Sequence, residues 1–97
     1  MVIVALDYVP HCYSAQDGAV VHRALAAAFA RGDYVTLSFK GVSDVPSSFV
    51  NAALVPFVHE RGTDWVKKNL RIVSATSQVA AMIRRCFIEA QRASMPA

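Results

Sequence analysis

The chain has 97 residues, a length that fits one folded domain, and we predict a single domain over residues 1–97. Hydrophobic residues make up 55% of the chain and charged residues 18%, which excludes a disordered chain, because disorder requires low hydrophobicity and high charge. The formal net charge of +3 permits an acidic partner but is too small to indicate nucleic-acid binding by itself.

The first third of the chain predicts a strand followed by a helix. Val2–Leu6 is a short apolar run rich in β-branched residues, which is typical of a buried strand. After a loop, Ser14 is a good N-cap for a helix from about Ala15 to Ala30. Gly32 then stands where a glycine commonly ends a helix.

The middle of the chain predicts a second strand and a divided helix. Apolar and polar residues alternate over Tyr34–Phe39, as in a half-buried strand. Ser47 or Ser48 is expected to cap a helix that runs to about His59. Pro56 lies inside that helix and should kink or divide it, because proline lacks the backbone N–H.

The last third predicts a short helix through Asn69 that Thr63 or Asp64 can cap, a third strand over Leu70–Val73 and a final helix from about Gln78 to Arg92. Ser74 or Ser77 is expected to open the final helix. The apolar stripe predicted for this helix consists of Val79, Ile83, Cys86, Phe87 and Ala90.

The predicted order of elements is β-α-β-α-(α)-β-α. Strands that alternate with helices indicate an α/β fold with a small, mostly parallel sheet and right-handed crossovers. Binding sites in such folds gather in the loops after the carboxyl ends of the strands. Here those loops are residues 7–14, 40–48 and 74–78.

No apolar run is long enough to cross a membrane. The runs Met1–Leu6 and Ala24–Ala30 end at charged residues and fall far short of roughly 18 residues. The first residues also lack a basic leader, so we expect no signal peptide and a cytoplasmic location. Cys12 and Cys86 are then expected to be reduced thiols.

Residues 35–53, Val-Thr-Leu-Ser-Phe-Lys-Gly-Val-Ser-Asp-Val-Pro-Ser-Ser-Phe-Val-Asn-Ala-Ala, resemble the STAS-like family of unknown function. Two further segments look like the family, residues 12–18 before the first helix and residues 68–72 entering the last strand. The resemblance spans about residues 11–92 and implies a STAS-like fold. Members of that family resemble adaptors, are found in bacteria and mobile elements, and are sometimes linked to kinase-like ATPases.

The related anti-anti-sigma factors carry a serine in an Asp-Ser-Ser-Gly loop, which a partner kinase phosphorylates to switch binding off. That kinase has an ATPase fold shared with gyrase and Hsp90. The counterpart here is residues 46–49, where both serines are present but proline replaces the aspartate and phenylalanine the glycine. The resemblance thus marks Ser47 and Ser48 as candidate phosphosites, with an ordinary helix N-cap as the structural alternative.

The surface predicted to bind a partner surrounds this serine pair. Its residues are Val45, Ser47, Ser48, Phe49, Asn51 and Trp65. If a partner surface exists, the apolar and aromatic residues Phe49, Val50, Trp65, Tyr8 and Tyr13 should be exposed. For Phe49 and Trp65 the alternative is burial in the core.

Basic residues form two local groups. They are Lys67, Lys68 and Arg71 in the first, and Arg84, Arg85 and Arg92 in the second. Such groups fit an acidic partner surface or nucleic acid, and the alternative is a solvated helix face. Few aromatic residues stand between them, which argues against binding of RNA or single-stranded DNA.

Residue spacing argues against a metal or catalytic centre. His11 and Cys12 are adjacent, but no ligand spacing of the C-x2-C or H-x3-H type accompanies them. The same pair lacks a third group that would orient a nucleophile. Glycine-rich phosphate-binding motifs are absent and the carboxylates lie in separate contexts, so we predict no metal, no cofactor and no catalytic residue.

The function predicted first is therefore a small STAS-like adaptor or regulator without enzymatic activity. It would bind another protein, such as a kinase-like ATPase or another bacterial regulator, and a homodimer would also account for the high apolar content. One alternative is a phage or prophage accessory protein that inhibits a host defence or regulatory complex by direct binding. Another is weak nucleic-acid binding through the basic residues.

Overall fold

The computed structural model describes residues 1–94 and has an α/β fold built on a three-stranded parallel sheet. The strands are β1 (Val2–Val4), β2 (Val35–Ser38) and β3 (Leu70–Val73), and they lie side by side in that order. The helices are α1 (Ala15–Ala30), α2 (Ser47–Ala53), α3 (Val55–Arg61), α4 (Thr63–Asn69) and α5 (Ser77–Ser94). The predicted order and the parallel sheet are confirmed.

Helices cover one face of the sheet, and the other face is more exposed. Ile3 pairs with Leu37, and Leu37 pairs with Ile72, so these side chains share the face that the helices cover. On the opposite face Val2 and Arg71 are exposed. Consecutive parallel strands joined by right-handed crossovers place their helices on one side, which explains this asymmetry.

The first strand is shorter than predicted. β1 ends at Val4, and Ala5–Asp7 form a 3-10 turn in which the carbonyl of Ala5 accepts hydrogen bonds from the N–H groups of Tyr8 and Val9. Ala5 is fully buried, so the apolar run continues into the core after the strand has ended. Apolar character alone does not distinguish these two backbone conformations.

Helix α1 follows the prediction at both ends. The Ser14 hydroxyl accepts a hydrogen bond from the N–H of Asp17 at 3.1 Å, as an N-cap does. At the other end Gly32 has a φ of +81°, a left-handed conformation that glycine adopts without strain.

The predicted helix beginning at residue 47 is divided, but its cap differs from the prediction. Pro56 lies in the first turn of α3, where its missing N–H is tolerated, and the break falls at Leu54. The extended N-cap residue of α2 is Pro46, and neither Ser47 nor Ser48 forms a side-chain cap. The cap prediction is wrong because proline starts the helix one residue early, which places both serines inside its first turn.

The final helix also uses a different cap. The Thr76 hydroxyl accepts the N–H of Val79 at 3.2 Å, so neither Ser74 nor Ser77 has the predicted role. Ser74 instead has a φ of +56°, which turns the chain sharply after β3. Within residues 1–94, no helix has the length and apolar character needed to cross a membrane.

Gly18 allows α1 to lie unusually close to α2. A Cβ atom at this position would stand 2.5 Å from the carbonyl oxygen of Phe49 and 2.8 Å from the Cβ of Ala52. These neighbours belong to backbone or to a short side chain, so they cannot rotate away. The contact therefore requires glycine despite its low helix propensity.

We expect Gly18→Ala to lower the free energy of unfolding by about 2 kcal/mol. Alanine favours a helix over glycine by about 1 kcal/mol, but overpacking against the α2 backbone costs more. Urea denaturation measures the difference, and Ala27→Gly on the exposed side of α1 is the control, with a loss of about 1 kcal/mol from propensity alone. A Gly18→Ala protein more stable than the parent would contradict the close contact.

Candidate partner-binding surfaces

The three loops that follow the strands form one surface, here called the carboxyl-end surface (residues 7–14, 40–48 and 74–78). Gln78 binds the backbone of Val45 twice, accepting its N–H at 2.8 Å and donating to its carbonyl at 3.1 Å. The Thr76 hydroxyl donates to the carbonyl of Ser43 at 2.7 Å. The start of α5 therefore holds the loop between β2 and α2 in place.

Asp17 organises the first loop of this surface. Its Oδ2 atom accepts the N–H of Tyr13 at 3.1 Å and lies 3.0 Å from Nδ1 of His11. The rings of His11 and Tyr13 stack with their centroids 5.0 Å apart and an interplanar angle of 12°. Both rings are exposed, so the loop presents a stacked pair to solvent in a fixed position.

The hydrogen bond from the Tyr13 N–H, with those to His11 and Ser14, holds the pKa of Asp17 below its usual value. A carboxyl group whose folded pKa is lowered stabilises the fold above its unfolded pKa of about 3.9, and this contribution is lost as the pH falls through the folded pKa. We expect Asp17→Asn to reduce the free energy of unfolding at pH 7 and to have a smaller effect below about pH 3.

Chemical denaturation at the two pH values tests this. The matched control is Asp64→Asn, an exposed aspartate in the first turn of α4, which makes the same change of charge outside the loop that Asp17 holds. An effect of Asp17→Asn that is equally large at both pH values would show that the carboxylate charge is not what holds the loop.

The structure separates the predicted contact residues into two groups. Ser47, Ser48 and Asn51 are exposed on α2. Val45, Phe49 and Val50 are buried, so the exposure expected of Phe49 and Val50 is wrong.

The ring of Phe49 packs edge to face on Phe39, with centroids 6.3 Å apart. Helix α2 is short, and its large apolar side chains all lie on the face that packs against α1 and the sheet. The apolar residues around the serine pair therefore belong to the core.

Trp65 is half-buried and packs within the fold. Its ring lies edge-on to Phe29 with centroids 5.0 Å apart, and the guanidinium of Arg61 stands 5.0 Å from its centroid. Phe57 contacts the same Phe29 ring and stacks on His22. Trp65 thus belongs to an aromatic cluster between α1, α3 and α4 and is not a freely exposed anchor.

Tyr8 and Tyr13 are the aromatic residues of the prediction that the structure does expose. Tyr13 is 58% exposed and Tyr8 46% exposed, and both lie in the loop after β1. Tyrosine buries a large area with few rotatable bonds, which favours it in protein interfaces. Tyr8 and Tyr13 are therefore candidate contact residues of the carboxyl-end surface, in addition to Ser47 and Ser48.

Cys12 has the wrong environment for a nucleophile. It is buried, and burial together with the charge of Asp17 raises its pKa to about 11. Burial likewise raises the pKa of Cys86. Because the thiolate is the reactive form, neither thiol is activated, and residues 1–94 contain no group of three potential metal ligands.

A second surface lies between α4, β3 and α5, and is here called the α4–α5 groove. It has a volume of about 680 Å³ and its apolar wall consists of Val66, Leu70, Ile72, Ile83, Phe87 and Ile88. Lys67 and Arg84 also line it. The sequence analysis did not predict this groove. The residue that could have indicated it is Ile88, an apolar residue outside the predicted stripe of α5, which is 43% exposed in the structure.

The predicted basic residues are all on the surface. Lys67, Lys68, Arg71, Arg84, Arg85 and Arg92 are each exposed. Arg85 pairs with Glu89 at 3.1 Å, whereas Lys67 of α4 and Arg84 of α5 both line the groove. The tertiary structure thus brings members of both basic groups to one site.

The chain was compared with known proteins. The family model described as a STAS-like domain of unknown function matches residues 17–80, which is more than half of the chain. The match begins in α1 and ends in α5, and it includes the serine pair at the start of α2. Searches of the curated proteins and of the solved structures found no match.

Proposed function

We propose that this chain, which belongs to the family of STAS-like domains of unknown function, is a non-enzymatic adaptor that binds another protein at its carboxyl-end surface. The fold itself does not specify an activity, since one architecture carries many functions. The proposal therefore rests on the residues of that surface.

The observation that carries the proposal is the exposed tyrosine pair on an ordered loop. Tyr13 is held through its own backbone N–H by Asp17, and its ring stacks on His11. An aromatic side chain that is already ordered loses little conformational entropy on binding, which favours its use as an anchor. Tyr8 lies in the same loop and extends the surface.

The buried cysteines support a binding role over catalysis. Burial and the charge of Asp17 raise the pKa of Cys12, which disfavours the reactive thiolate at the one cysteine that adjoins a histidine in the sequence. A protein partner is also consistent with the resemblance to STAS domains, and the class of partner that this resemblance favours is a kinase-like ATPase or another bacterial regulator.

We expect a photo-crosslinking residue in place of Tyr13 to form a defined adduct with one protein in the source cell. The same residue in place of Tyr34 is the control, because Tyr34 is 50% exposed but precedes β2, at the opposite end of the sheet. Once that protein is known, Tyr13→Ala should weaken binding roughly tenfold or more and Tyr34→Ala should not. Adducts at both positions, or at neither, would count against this surface.

The serine pair provides a second test of the same surface. Both hydroxyls are exposed and free of hydrogen bonds within the described residues, so a kinase has access to them. A phosphate would add about −1.5 to −2 charges beside the proposed contact site and change partner binding.

Co-expression with a kinase-like ATPase encoded beside the gene should add one phosphate to the intact mass. One of the two variants, Ser47→Ala or Ser48→Ala, should abolish the addition. Ser43→Ala, at another exposed serine, is the control and should keep it. An unmodified chain, or a phosphate that survives in both variants, would remove these residues as the modification site.

A further inference from the structure

We propose that the α4–α5 groove binds an extended acidic segment of a partner protein, which adds as a fourth strand to the free edge of β3. This surface differs from the one that carries the proposed function. The inference rests on the backbone of β3, the apolar wall of the groove and the charges along it.

The backbone of β3 has one free side. Among the described residues β3 pairs only with β2, and the carbonyl of Val73 accepts the N–H of Phe39 at 3.1 Å. In a parallel sheet both polar groups of one residue point to the same side, and successive residues alternate. The N–H and carbonyl of Ile72 therefore point away from β2, where an added strand can bind them.

The groove continues the core past the edge of the sheet. Ile72 shares the helix-covered face with Leu37, and it lines the groove together with Ile83 and Phe87 of α5. Ile88 lies farther along α5 and is 43% exposed. Because side chains alternate along a strand, every second residue of an added strand would pack against this apolar wall.

Charge determines which segment fits. Lys67 and Arg84 line the groove, and none of the residues 1–94 that line it is acidic. Arg71 of β3 is exposed on the opposite face of the sheet. A strand with apolar residues facing the wall and acidic residues facing outward would complement both features.

A second copy of this chain fits less well, because it carries a net charge of +3 and would meet a basic groove. Nucleic acid could meet the charges but would leave the apolar wall in contact with phosphate and sugar.

A buried hydroxyl also lacks a partner at this site. Thr63 lines the groove at the start of α4, and its Oγ1 forms no hydrogen bond within the described residues. An unpaired buried hydroxyl is unfavourable. Rotation of its side chain would let it donate to a carbonyl or carboxylate of the added strand.

The test measures binding of a fluorescein-labelled peptide of about nine alternating glutamate and valine residues, long enough to form one strand. The parent chain should bind it and should bind the matching lysine–valine peptide at least about tenfold more weakly. Arg84→Glu should weaken binding of the acidic peptide by a similar factor. Arg23→Glu, an exposed residue of α1 with the same charge change, should leave it unchanged.

Amide hydrogen exchange locates the bound peptide. The Ile72 N–H should become protected when the acidic peptide is added, and Ile72→Pro, which removes that donor while leaving the hydrogen bonds to β2, should abolish binding. Because Arg84 is on the surface, Arg84→Glu keeps the test informative if Ile72→Pro does not fold.

Several outcomes would overturn the proposal. They are binding that Arg84→Glu does not weaken, an Ile72 N–H that stays unprotected, tighter binding of a labelled oligonucleotide at the same groove, and a dimer in sedimentation that Arg84→Glu dissociates. Tyr13→Ala should leave peptide binding unchanged. Failure at the groove is therefore distinguishable from failure of the proposed function.

Discussion

The close contact between α1 and α2 at Gly18 is the constraint on which the arrangement of the carboxyl-end surface depends. Without a side chain at this position, the carbonyl of Phe49 can approach the helix, and the first turn of α2 packs against α1. That orientation turns Phe49 into the core and leaves Ser47 and Ser48 in solvent. The absence of a side chain at Gly18 thus influences which residues near the serine pair are exposed.

The two candidate surfaces differ in how they are built. The carboxyl-end surface is held by directional hydrogen bonds, in which Gln78 and Thr76 join α5 to the preceding loop. The α4–α5 groove is a place where the apolar layer between sheet and helices continues beyond the last strand. They meet at Ser74, whose left-handed backbone directs the chain from β3 into the loop. Under the two proposals, each surface would bind a different partner.

Most of the elements could be predicted from local patterns, and the errors have physical causes. The cap at Ser14, the stop at Gly32 and the strand at Leu70–Val73 depend on neighbouring residues, so the sequence shows them directly. The exposure expected of Phe49 was wrong because burial in a short helix depends on which face meets α1. The groove was not predicted because its walls come from segments that are apart in the chain. Its one local sign is Ile88, an apolar residue that is exposed on α5.

The α/β order, the parallel sheet and the STAS-like family follow from the amino-acid sequence, because periodicity, turn residues and the segment around the serine pair are local properties. Which side chains are exposed depends on how distant segments pack together. Burial raises the pKa of the Cys12 thiol, and the fold places Lys67 of α4 and Arg84 of α5 at one groove. Exposure and proximity arise when distant segments pack together, and no local pattern carries that information.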